Sequence, residues 1–405
     1  MKKKVGRPKK LTKRDKVLKV IKSIIIICVL VLALEWLYIG GKKFFKHPTK
    51  NYFDGINDFV YKDNYYMSVG SNNNNDRMFE RAEVTKYDNN KEKIWEQIFN
   101  KGYNSSYLGV SIDKDNNVIA VGSYEENKND LKTALLVKYD SDGTVLFEKK
   151  LKELENTVFT SIVSVNDGYI VTGYSIYNNE TIGKEEGGAL LLKYNKEGKL
   201  LWKHNYGDNK ISTYNSLIIY NGYIYTVGKY KNNIGLISKY DINGNFITSK
   251  KINSIDEYGF TGITINNGYL IVSGGRVVSS LDTDAVLIRL DFDLNYIREI
   301  VYRNSGKERF NEVINDKENN IITIGSSAIR NRSNQDNYDA LIGKYNSDLE
   351  KIAVIKYDDN MNDYFTKLRL IGNDYVVSGY SSYENEGYLS KFITYSDALK
   401  VLEVK

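Results

Sequence analysis

The residues of this chain that could carry out acid–base or nucleophilic chemistry are few, apart from its many acids. Its 405 residues include two histidines, His47 and His204, and a single cysteine, Cys28. A Ser-His-Asp or Cys-His arrangement needs a histidine beside its nucleophile, and a multi-histidine metal site needs several, so neither chemistry is indicated. The 51 Asp and Glu residues leave paired carboxylates, of the kind that cleave glycosidic bonds, as the remaining catalytic option. We therefore predict no enzyme activity and no cofactor, with a carboxylate-dependent hydrolase or lyase as the alternative.

Two aspartate-rich segments raise the question of bound calcium. Segments 140–143 (DSDG) and 282–284 (DTD) place carboxylates at alternate positions. An EF-hand loop requires a longer series of ligands that ends in a distal Glu, and both segments lack it. A hairpin turn accounts for the first segment without a metal. We predict no metal site, and calcium bound at one of these segments is the alternative.

A basic residue recurs seven times in similar strand-like segments and could form a ring of cations for an anionic ligand. The alternative is structural, with the side-chain stem packed between units and its charged head against an acid in an adjacent turn, such as Asp140 or Asp241. We predict the structural role. The basic positions are Lys86, Lys138, Lys193, Lys239, Arg289, Lys344 and Lys391.

These basic residues belong to a repeat that runs from residue 51 to the C-terminus. A β-run ending in glycine recurs with Gly at positions 70, 122, 173, 228, 274, 325 and 379, at steps of 52, 51, 55, 46, 51 and 54 residues. The basic residue follows each glycine in the next run, so two markers step together along the chain. Repeats of this length are typical of propeller blades or solenoid units.

Each repeat contains four strand-like runs rich in Val, Ile, Leu and Tyr. Asn, Asp and Gly separate the first two runs, and turns of the D-x-x-G kind separate the last two, as tight hairpins require. In the second repeat the predicted strands are 107–112, 118–123, 134–139 and 145–151.

A ring of such sheets buries the faces that a single sheet would leave exposed. Seven units fill residues 51–405, and seven lies within the usual number of propeller blades. The sequence therefore predicts an all-β fold, a seven-bladed β-propeller of four-stranded antiparallel blades. Each blade is expected to come from one contiguous stretch that runs from inner to outer strand. The ring would then close by packing of the first blade against the last, without a swapped strand.

The N-terminal segment has the composition of a membrane anchor. Residues 1–22 contain eleven Lys and Arg against one acid, and residues 23–41 are apolar except for Glu35, which is long enough for one transmembrane helix. The excess of positive charge before the span predicts a cytoplasmic N-terminus and an extracellular propeller, joined by a linker over 42–50. We thus predict a single-pass signal-anchor in the cell membrane of a bacterium.

Two alternatives to the anchor are a cleaved secretory signal and a lipoprotein signal. The first shares the basic start and apolar core, but no small-x-small cleavage site follows the apolar run. The second requires a small residue before its cysteine, whereas Ile27 precedes Cys28.

The charge of the chain is concentrated in its first 47 residues, which hold 14 Lys and Arg and two acids. Since the whole chain carries +6, the remainder carries −6 and lacks the basic surface of a nucleic-acid binder. The segment 5–10 (VGRPKK) resembles an AT-hook, but orientation charge and attraction to anionic lipid explain it more simply. We predict no nucleic-acid partner and a monomer without disulfides.

The repeat resembles those of bacterial β-propellers of the quinoprotein-like kind. The resemblance is carried by segments 139–147 (YDSDGTVLF) and 194–202 (YNKEGKLLW), with a degenerate copy at 87–95 (YDNNKEKIW). In that family a Trp docks one blade onto the next, which implies this role for Trp95 and Trp202, with Phe147 and Phe246 filling or neighbouring the slot elsewhere. The family's enzymes bind a quinone together with a metal, and often use vicinal cysteines to do so. Residues 51–405 contain no cysteine, so the resemblance implies a non-catalytic scaffold or binding platform.

Long and dissimilar loops are expected on one rim of the ring, where second strands lead to third strands and blades lead to blades. Variable loops over a repeated frame are where repeat proteins place binding surfaces. Tyr and Arg in these loops are suited to aromatic anchoring and polar contacts. The candidate partner-binding residues are Arg77, Arg81, Tyr124, Tyr177, Arg330, Arg332, Tyr338, Tyr357 and Tyr364.

These observations predict a membrane-anchored extracellular propeller that binds a protein, a peptide or a cell-wall glycan without catalysis. Convergence of Glu155, Asp208, Asp256 and Asp363 would instead favour a surface polysaccharide hydrolase or lyase. A membrane sensor or assembly factor, whose basic tail meets a cytoplasmic partner, is the third possibility.

Overall fold

The computed structural model describes residues 54–72, 79–179, 184–207, 211–231, 234–252, 257–279, 282–304, 306–330, 336–383 and 387–404. Within these residues the chain forms 28 β-strands in seven four-stranded antiparallel sheets. The predicted tail, membrane span and linker (1–50) lie outside the described residues, which contain no helix able to cross a membrane.

Each sheet consists of four strands that follow one another in the chain, and each sheet is one propeller blade. In blades 1 to 7 the strands are β1 (Asp54–Lys62), β2 (Tyr65–Asn72), β3 (Arg81–Tyr87), β4 (Lys93–Ile98); β5 (Asn104–Ile112), β6 (Val118–Glu125), β7 (Thr133–Tyr139), β8 (Val145–Leu151); β9 (Thr157–Val165), β10 (Gly168–Asn179), β11 (Lys184–Asn195), β12 (Leu200–Tyr206); β13 (Ser212–Tyr220), β14 (Tyr223–Tyr230), β15 (Ile234–Asp241), β16 (Phe246–Ile252); β17 (Glu257–Asn266), β18 (Tyr269–Ser279), β19 (Asp282–Leu290), β20 (Tyr296–Tyr302); β21 (Glu308–Asn315), β22 (Ile321–Arg330), β23 (Asp336–Tyr345), β24 (Lys351–Tyr357); β25 (Asn362–Ile371), β26 (Asp374–Tyr383), β27 (Gly387–Tyr395) and β28 (Val401–Val404). The predicted fold, blade number and order of strands are confirmed.

The ring closes directly between the last and the first blade. The first strand of every blade packs against the first strand of the next, and β25 of blade 7 packs against β1 of blade 1. At this joint Ile56, Phe59 and Tyr66 share a buried apolar cluster with Val376 and Phe392. Each blade keeps its own four strands, so the prediction of closure without a swapped strand is confirmed.

The meander of each blade gives the ring two different rims. Hairpins between first and second strands and between third and fourth strands lie on one rim, which we call the turn rim. Loops between second and third strands and between successive blades lie on the other, which we call the loop rim. The first strand of each blade begins at the loop rim.

A β-bulge on each first strand links neighbouring blades at the centre of the ring. The bulged residue donates from its side chain to a backbone carbonyl of the next blade, as Asn311 does to Phe365 at 2.7 Å. Thr366 completes the circle by donating to the carbonyl of Ile56 at 2.9 Å. Leu108 holds the equivalent position in blade 2 and has no donor, so this is the one interruption in the series within the described residues. The donors are Asn57, Thr160, Asn215, Thr261, Asn311 and Thr366.

Six of the seven recurring basic residues, all but Lys391, make structural contacts on the turn rim. Lys86 donates to the carbonyl of Ser141 in blade 2 at 3.0 Å, and Lys239 donates to that of Phe292 in blade 5 at 2.8 Å. These contacts confirm the structural role predicted for the basic residues. An acid in the adjacent turn is the partner in some blades, as Asp293 is of Lys239 at 3.4 Å, which confirms that part of the prediction. The two examples named for it were wrong, because Asp140 and Asp241 accept hydrogen bonds from within their own turns.

Blade 7 departs from the predicted phase of this marker. Lys391 was aligned with the other third-strand cations, but it lies opposite Gly379, whereas Thr394 lies opposite Val376 in the slot that Lys344 occupies in blade 6. Lys91 of blade 1 donates to the hydroxyl of Thr394 at 3.0 Å and restores a link between the two blades. A three-residue slip inside one strand is invisible to a count of repeat lengths.

Aromatic side chains on fourth strands dock onto the turns of the following blades, as the resemblance implied for Trp95 and Trp202. A Cβ placed on Gly244 would lie 2.9 Å from the ring of Trp202, and one on Gly143 would lie 3.2 Å from that of Trp95. Phe147 contacts Gly198 in the same way. Phe246 lies outside the slot, because Thr248 occupies the docking position opposite Lys239 in blade 4.

The turn residue changes where the docking aromatic is missing. Leu294, Leu349 and Leu399 replace glycine in blades 5 to 7, at φ values of 65°, 62° and 56°. Such a backbone costs a non-glycine residue on the order of 1–2 kcal/mol. All three leucines are buried, so apolar burial of each side chain offsets this cost.

Candidate recognition face on the loop rim

The loop rim holds most of the residues predicted to bind a partner, and the structure separates them into groups. Arg77 and Arg332 lie outside the described residues, and for Arg330 only its place at the end of β22 is described. Tyr177 is a partly exposed residue of β10 and pairs in register with Glu186 of β11.

Arg81 and Tyr124 belong to the scaffold instead of the surface. The guanidinium of Arg81 is buried and donates to the carbonyls of Gly102 and Tyr103 at 2.5 and 3.1 Å. Tyr124 is 2% exposed and packs in the core between blades 1 and 2. Sequence reasoning placed both at the rim correctly along the chain, but it could not tell which way their side chains turn.

Tyr338 and Tyr364 come together and form an aromatic group with a third tyrosine. Their ring centroids are 5.1 Å apart, and Tyr364 stacks on Tyr380 at 5.0 Å with an interplanar angle of 28°. The side chain of Asn362 accepts a hydrogen bond from the backbone of Tyr338 at 2.9 Å and so fixes β23 relative to β25. All three tyrosines are partly exposed. We call Tyr338, Tyr364 and Tyr380 the tyrosine stack.

Tyr380 was missed in the sequence, although a signal for it was present. It follows the repeat marker Gly379 directly and pairs in register with Tyr364, so any strand pairing deduced from the repeat places the two rings side by side. Side chains directly opposite one another on antiparallel strands are close enough for ring stacking.

An acid–lysine cluster is built from the same strands as the tyrosine stack. Lys391 forms ion pairs with Asp359 and with Asp363, the latter at 3.3 Å. The hydroxyl of Ser381 lies within hydrogen-bond distance of both carboxylates and is closer to that of Asp363, and the backbone N–H of Asp359 donates to Asp363 at 3.0 Å. Tyr357 lies beside the cluster, with the ammonium of Lys391 4.7 Å from its ring centroid. Each charge therefore has a partner of opposite sign.

Burial governs the ionisation of this cluster. Asp363 is 1% exposed, and burial raises its pKa to about 6, with hydrogen bonds from Ser381 and Asp359 opposing the shift. Burial disfavours the charged form of Lys391, but the hydrogen bond with Asp359 and the two carboxylates outweigh it and raise the lysine pKa. With two carboxylates and one ammonium the cluster carries at most one net negative charge, and it ties the loop after blade 6 to blade 7.

A second charged cluster lies on the first strands of blades 6, 7 and 1. Arg369 forms ion pairs with Asp58 at 2.7 Å and with Glu312 at 3.0 Å, and Lys367 lies 3.5 Å from Glu312. Asp58 also accepts from the backbone of Val110 in blade 2 at 3.1 Å. Burial raises the pKa of Asp58 in spite of the two cations. Two acids and two bases balance here, so this cluster holds inner strands together and offers no net charge.

Segment 282–284, considered above for calcium, belongs to a cluster of acids, and two arginines form ion pairs with one of them. Oxygen atoms of Asp282, Asp284 and Glu308 lie within 4.8 Å of one another, a spacing that a metal ion could bridge. Asp284 is fully buried and pairs with Arg303 at 2.6 Å and with Arg276 at 2.9 Å. The hydrogen bond from Arg303 is the main cause that holds the pKa of Asp284 below its ordinary value. The arginines thus supply the positive charge that a cation would bring.

The four acids whose convergence would indicate a hydrolase are not seen to converge. Asp208 and Asp256 lie outside the described residues. Glu155 lies in the loop between blades 2 and 3, where its carbonyl accepts from Ser175 at 2.8 Å, and Asp363 lies in blade 7. Asp363 shares Lys391 with Asp359, within the acid–lysine cluster described above.

The chain was compared with known proteins by sequence and by structure. No protein-family model matches it, and no curated protein matches its sequence. Solved structures with a similar fold include a prolyl endopeptidase (TM-score 0.53, 9% identity, 89% of this chain and 50% of that one) and a puromycin hydrolase (0.53, 8%, 86% and 54%). A polysaccharide lyase, Uly1, is similar over 84% of this chain and 89% of its own, at a TM-score of 0.51 and 8% identity.

This chain spans about half the length of the two peptidases that it resembles. At such low identity the likeness shows the propeller fold alone. The fold thus occurs in enzymes that act on peptides and on polysaccharides, and the chemistry of this chain has to be argued from its own residues.

Proposed function

We propose that this chain is a ligand-binding module that recognises a protein, a peptide or a cell-wall glycan on its loop rim, through the tyrosine stack. The supporting observation is the convergence of three partly exposed tyrosine rings from three strands at the boundary of blades 6 and 7. Tyrosine supplies a large contact area with little conformational entropy to lose, and its face stacks on planar groups and on sugar rings. The N-terminal membrane anchor, with the propeller outside the cell, is part of this proposal and follows from the charge pattern of residues 1–50.

A binding role is favoured over catalysis by the state of the acids nearest the tyrosine stack. Asp363 is the acid whose raised pKa would suit a general acid, which is the observation in favour of a hydrolase or lyase. Its carboxylate, however, is 1% exposed and already bound by Lys391 and Ser381. A catalytic acid must reach the atom that it protonates, and this one faces the interior of the blade pair.

The binding proposal is tested with the full chain on arrays of cell-wall polysaccharide fragments and of extracellular peptides. We expect Tyr364→Ala and Tyr380→Ala to weaken binding about tenfold or more, since truncation of a tyrosine anchor at the centre of a binding surface costs about 2 kcal/mol or more. Tyr269→Ala, which removes a comparable exposed ring from the turn rim, serves as the matched control and should leave binding unchanged.

Two outcomes would overturn the proposal. One is retention of full affinity by both rim variants while their thermal stability matches that of the parent chain. The other is turnover of an arrayed glycan or peptide that is abolished by Asp363→Asn, which would identify the acid–lysine cluster as catalytic machinery.

A further inference from the structure

Two cationic side chains meet over a surface without side chains at the loop-rim end of blades 4, 5 and 6. Gly259 and Gly275 face each other in register on β17 and β18. A Cβ placed on Gly259 would collide with the stem of Lys229, and it would lie 3.3 Å from the Lys229 ammonium and 3.4 Å from the guanidinium of Arg309. Both charged groups therefore approach the same point beside Gly259.

Arg309 has no counter-charge among the residues that the structure describes. Within the described residues its guanidinium makes no hydrogen bond and no ion pair, and burial lowers its pKa without any acid to oppose the shift. Arg369, the nearest comparable cation on an inner strand, has its pKa raised by Glu312 and Asp58 against the effect of burial. A partly buried guanidinium with five unpaired donors is costly, so such a group in a native fold calls for an explanation.

The fold itself does not require a charge at this position. Arg309 is two residues before the bulge of its inner strand, and the equivalent residues of the other blades are uncharged. Tyr364 of the tyrosine stack holds this position in the adjacent blade 7, so the cation and the aromatic group occupy matching places on the same rim. The equivalent residues are Gly55, Ser106, Val158, Thr213, Gly259 and Tyr364.

We propose that Arg309 and Lys229 bind an oxyanion, the carboxylate or phosphate group of a ligand, above Gly259 and Gly275. A guanidinium presents paired N–H donors that match two oxygens of such a group, and an ammonium adds a point charge from a second direction. Because the two glycines carry no side chains, the stems of Lys229 and Arg309 lie directly against the sheet, and this brings their charged ends together. The inference rests on the proposed function only for the larger ligand, because a small oxyanion can be tested by itself.

The test uses the full chain with sodium acetate and with inorganic phosphate as separate probes at constant ionic strength, followed by calorimetric titration and thermal unfolding. Binding to the folded state raises the unfolding temperature, and the rise grows with the logarithm of the probe concentration once this exceeds the dissociation constant. We expect at least one probe to bind, with affinity lost in Arg309→Gln and reduced severalfold in Lys229→Gln. Arg298→Gln removes a guanidinium on an outer strand, whose partner is the carbonyl of Asp348, and should respond like the parent chain.

The two probes also distinguish the source of the anion, since a planar and a tetrahedral group should differ in affinity. Equal responses in the parent chain and in Arg309→Gln, or no response to either probe, would overturn the inference. If a rim ligand binds through Tyr364 but is indifferent to Arg309→Gln, the oxyanion site fails while the binding module stands. If the oxyanion binds but Tyr364→Ala changes no ligand affinity, the oxyanion site stands and the binding role of the tyrosine stack fails.

Discussion

Single residues in blade 7 show where the repeat has been adapted. Lys391 lies opposite Gly379, a position that five other blades fill with a buried aliphatic side chain. A buried lysine is retained only with compensating acids, and Asp359 and Asp363 provide them from the neighbouring loop and strand. The aliphatic residues are Leu135, Leu190, Leu236, Val286 and Leu341.

The raised pKa of Asp363 has a definite consequence for the pH dependence of stability. Since its pKa is about 6 in the folded chain and 3.8 in the reference state, the folded state binds more protons between pH 4 and 6. This residue therefore lowers the free energy of unfolding as the pH rises through that range, on the order of 2–3 kcal/mol in total. Asp363→Asn should remove this slope, as measured by urea unfolding at pH 4.5 and 6.5.

A control for this experiment is Asp397→Asn, because hydrogen bonds from Lys344 and Tyr375 lower the pKa of Asp397. Its contribution is lost only as the pH falls below about 4, so the slope between pH 4.5 and 6.5 should persist. An Asp363→Asn variant with the slope of the parent chain would contradict the assignment of the raised pKa.

At this scale the sequence alone indicated part of the candidate recognition face. Tyr338 and Tyr364 were predicted because they lie at the ends of segments expected to be long polar loops, and their position in the chain suffices for that prediction. Arg309 and Tyr380 were missed. Arg309 follows the first residue of its strand and Tyr380 follows the repeat glycine, and at both positions the direction of the side chain depends on where the bulge lies. Arg81 and Tyr124 show the reverse error, since nothing in the local pattern reveals a side chain turned inward.

At the scale of the strand and turn, the contacts between fourth strands and the following turns obey a rule of complementarity. Glycine occurs in the turn where an aromatic ring precedes it, as with Trp202 and Gly244, and leucine occurs where the preceding residue is smaller, as with Thr248 and Leu294. The space between two blades is thus filled either by the aromatic side chain of the fourth strand or by the leucine of the following turn. Close packing leaves no room for both.

This rule predicts that Gly244→Leu alone destabilises the fold strongly, because its Cβ would lie 2.9 Å from the ring of Trp202. Combined with Trp202→Thr it should recover a large part of the loss, since the pair then reproduces Thr248 and Leu294. We expect a penalty of about 3 kcal/mol or more for the single change from strain and overpacking. Chemical denaturation of the single and double variants measures the coupling.

The matched control is Gly222→Leu, at a turn-rim glycine of φ 79° with open space around it. It carries the backbone strain without the collision, and it should cost less than Gly244→Leu. Additive effects of the two changes at positions 202 and 244 would refute the complementarity.

Strands and their order were predictable because alternation and turn chemistry repeat seven times, which averages out local ambiguity. The predicted strand over 107–112 begins three residues earlier, at Asn104, because pairing with β6 extends into the loop rim. The bulges were not predicted, since Asn, Thr and Leu at those positions carry no common signature before the register is known. The shift of Lys391 by three residues along its strand was not predicted for the same reason.

The whole ring depends on one joint between residues far apart in the chain. Phe392 packs edge-on against Phe59 with centroids 5.2 Å apart, and the backbone of Ile56 donates to Ser390 at 3.0 Å. Phe392→Ala should lower the free energy of unfolding by about 3–5 kcal/mol through cavity formation. It should also increase hydrogen exchange first in blades 1 and 7, because these blades lose their shared core.

Ile342→Ala is the control for this variant, since Ile342 holds the equivalent position in the third strand of blade 6. It should cost a similar free energy but expose blades 6 and 7 first. If hydrogen exchange increased uniformly across the ring in both variants, the joint between the first and last blades would not determine where unfolding begins.

The contiguity of each blade has a consequence for how the molecule can be rearranged. Because no strand crosses from one blade to another, a circularly permuted gene that opens in any inter-blade loop leaves all 28 strands beside their present partners. Each sheet can also assemble as soon as its own fifty or so residues have left the ribosome. Only the packing of blade 7 against blade 1 must wait until the last of these residues has been synthesised.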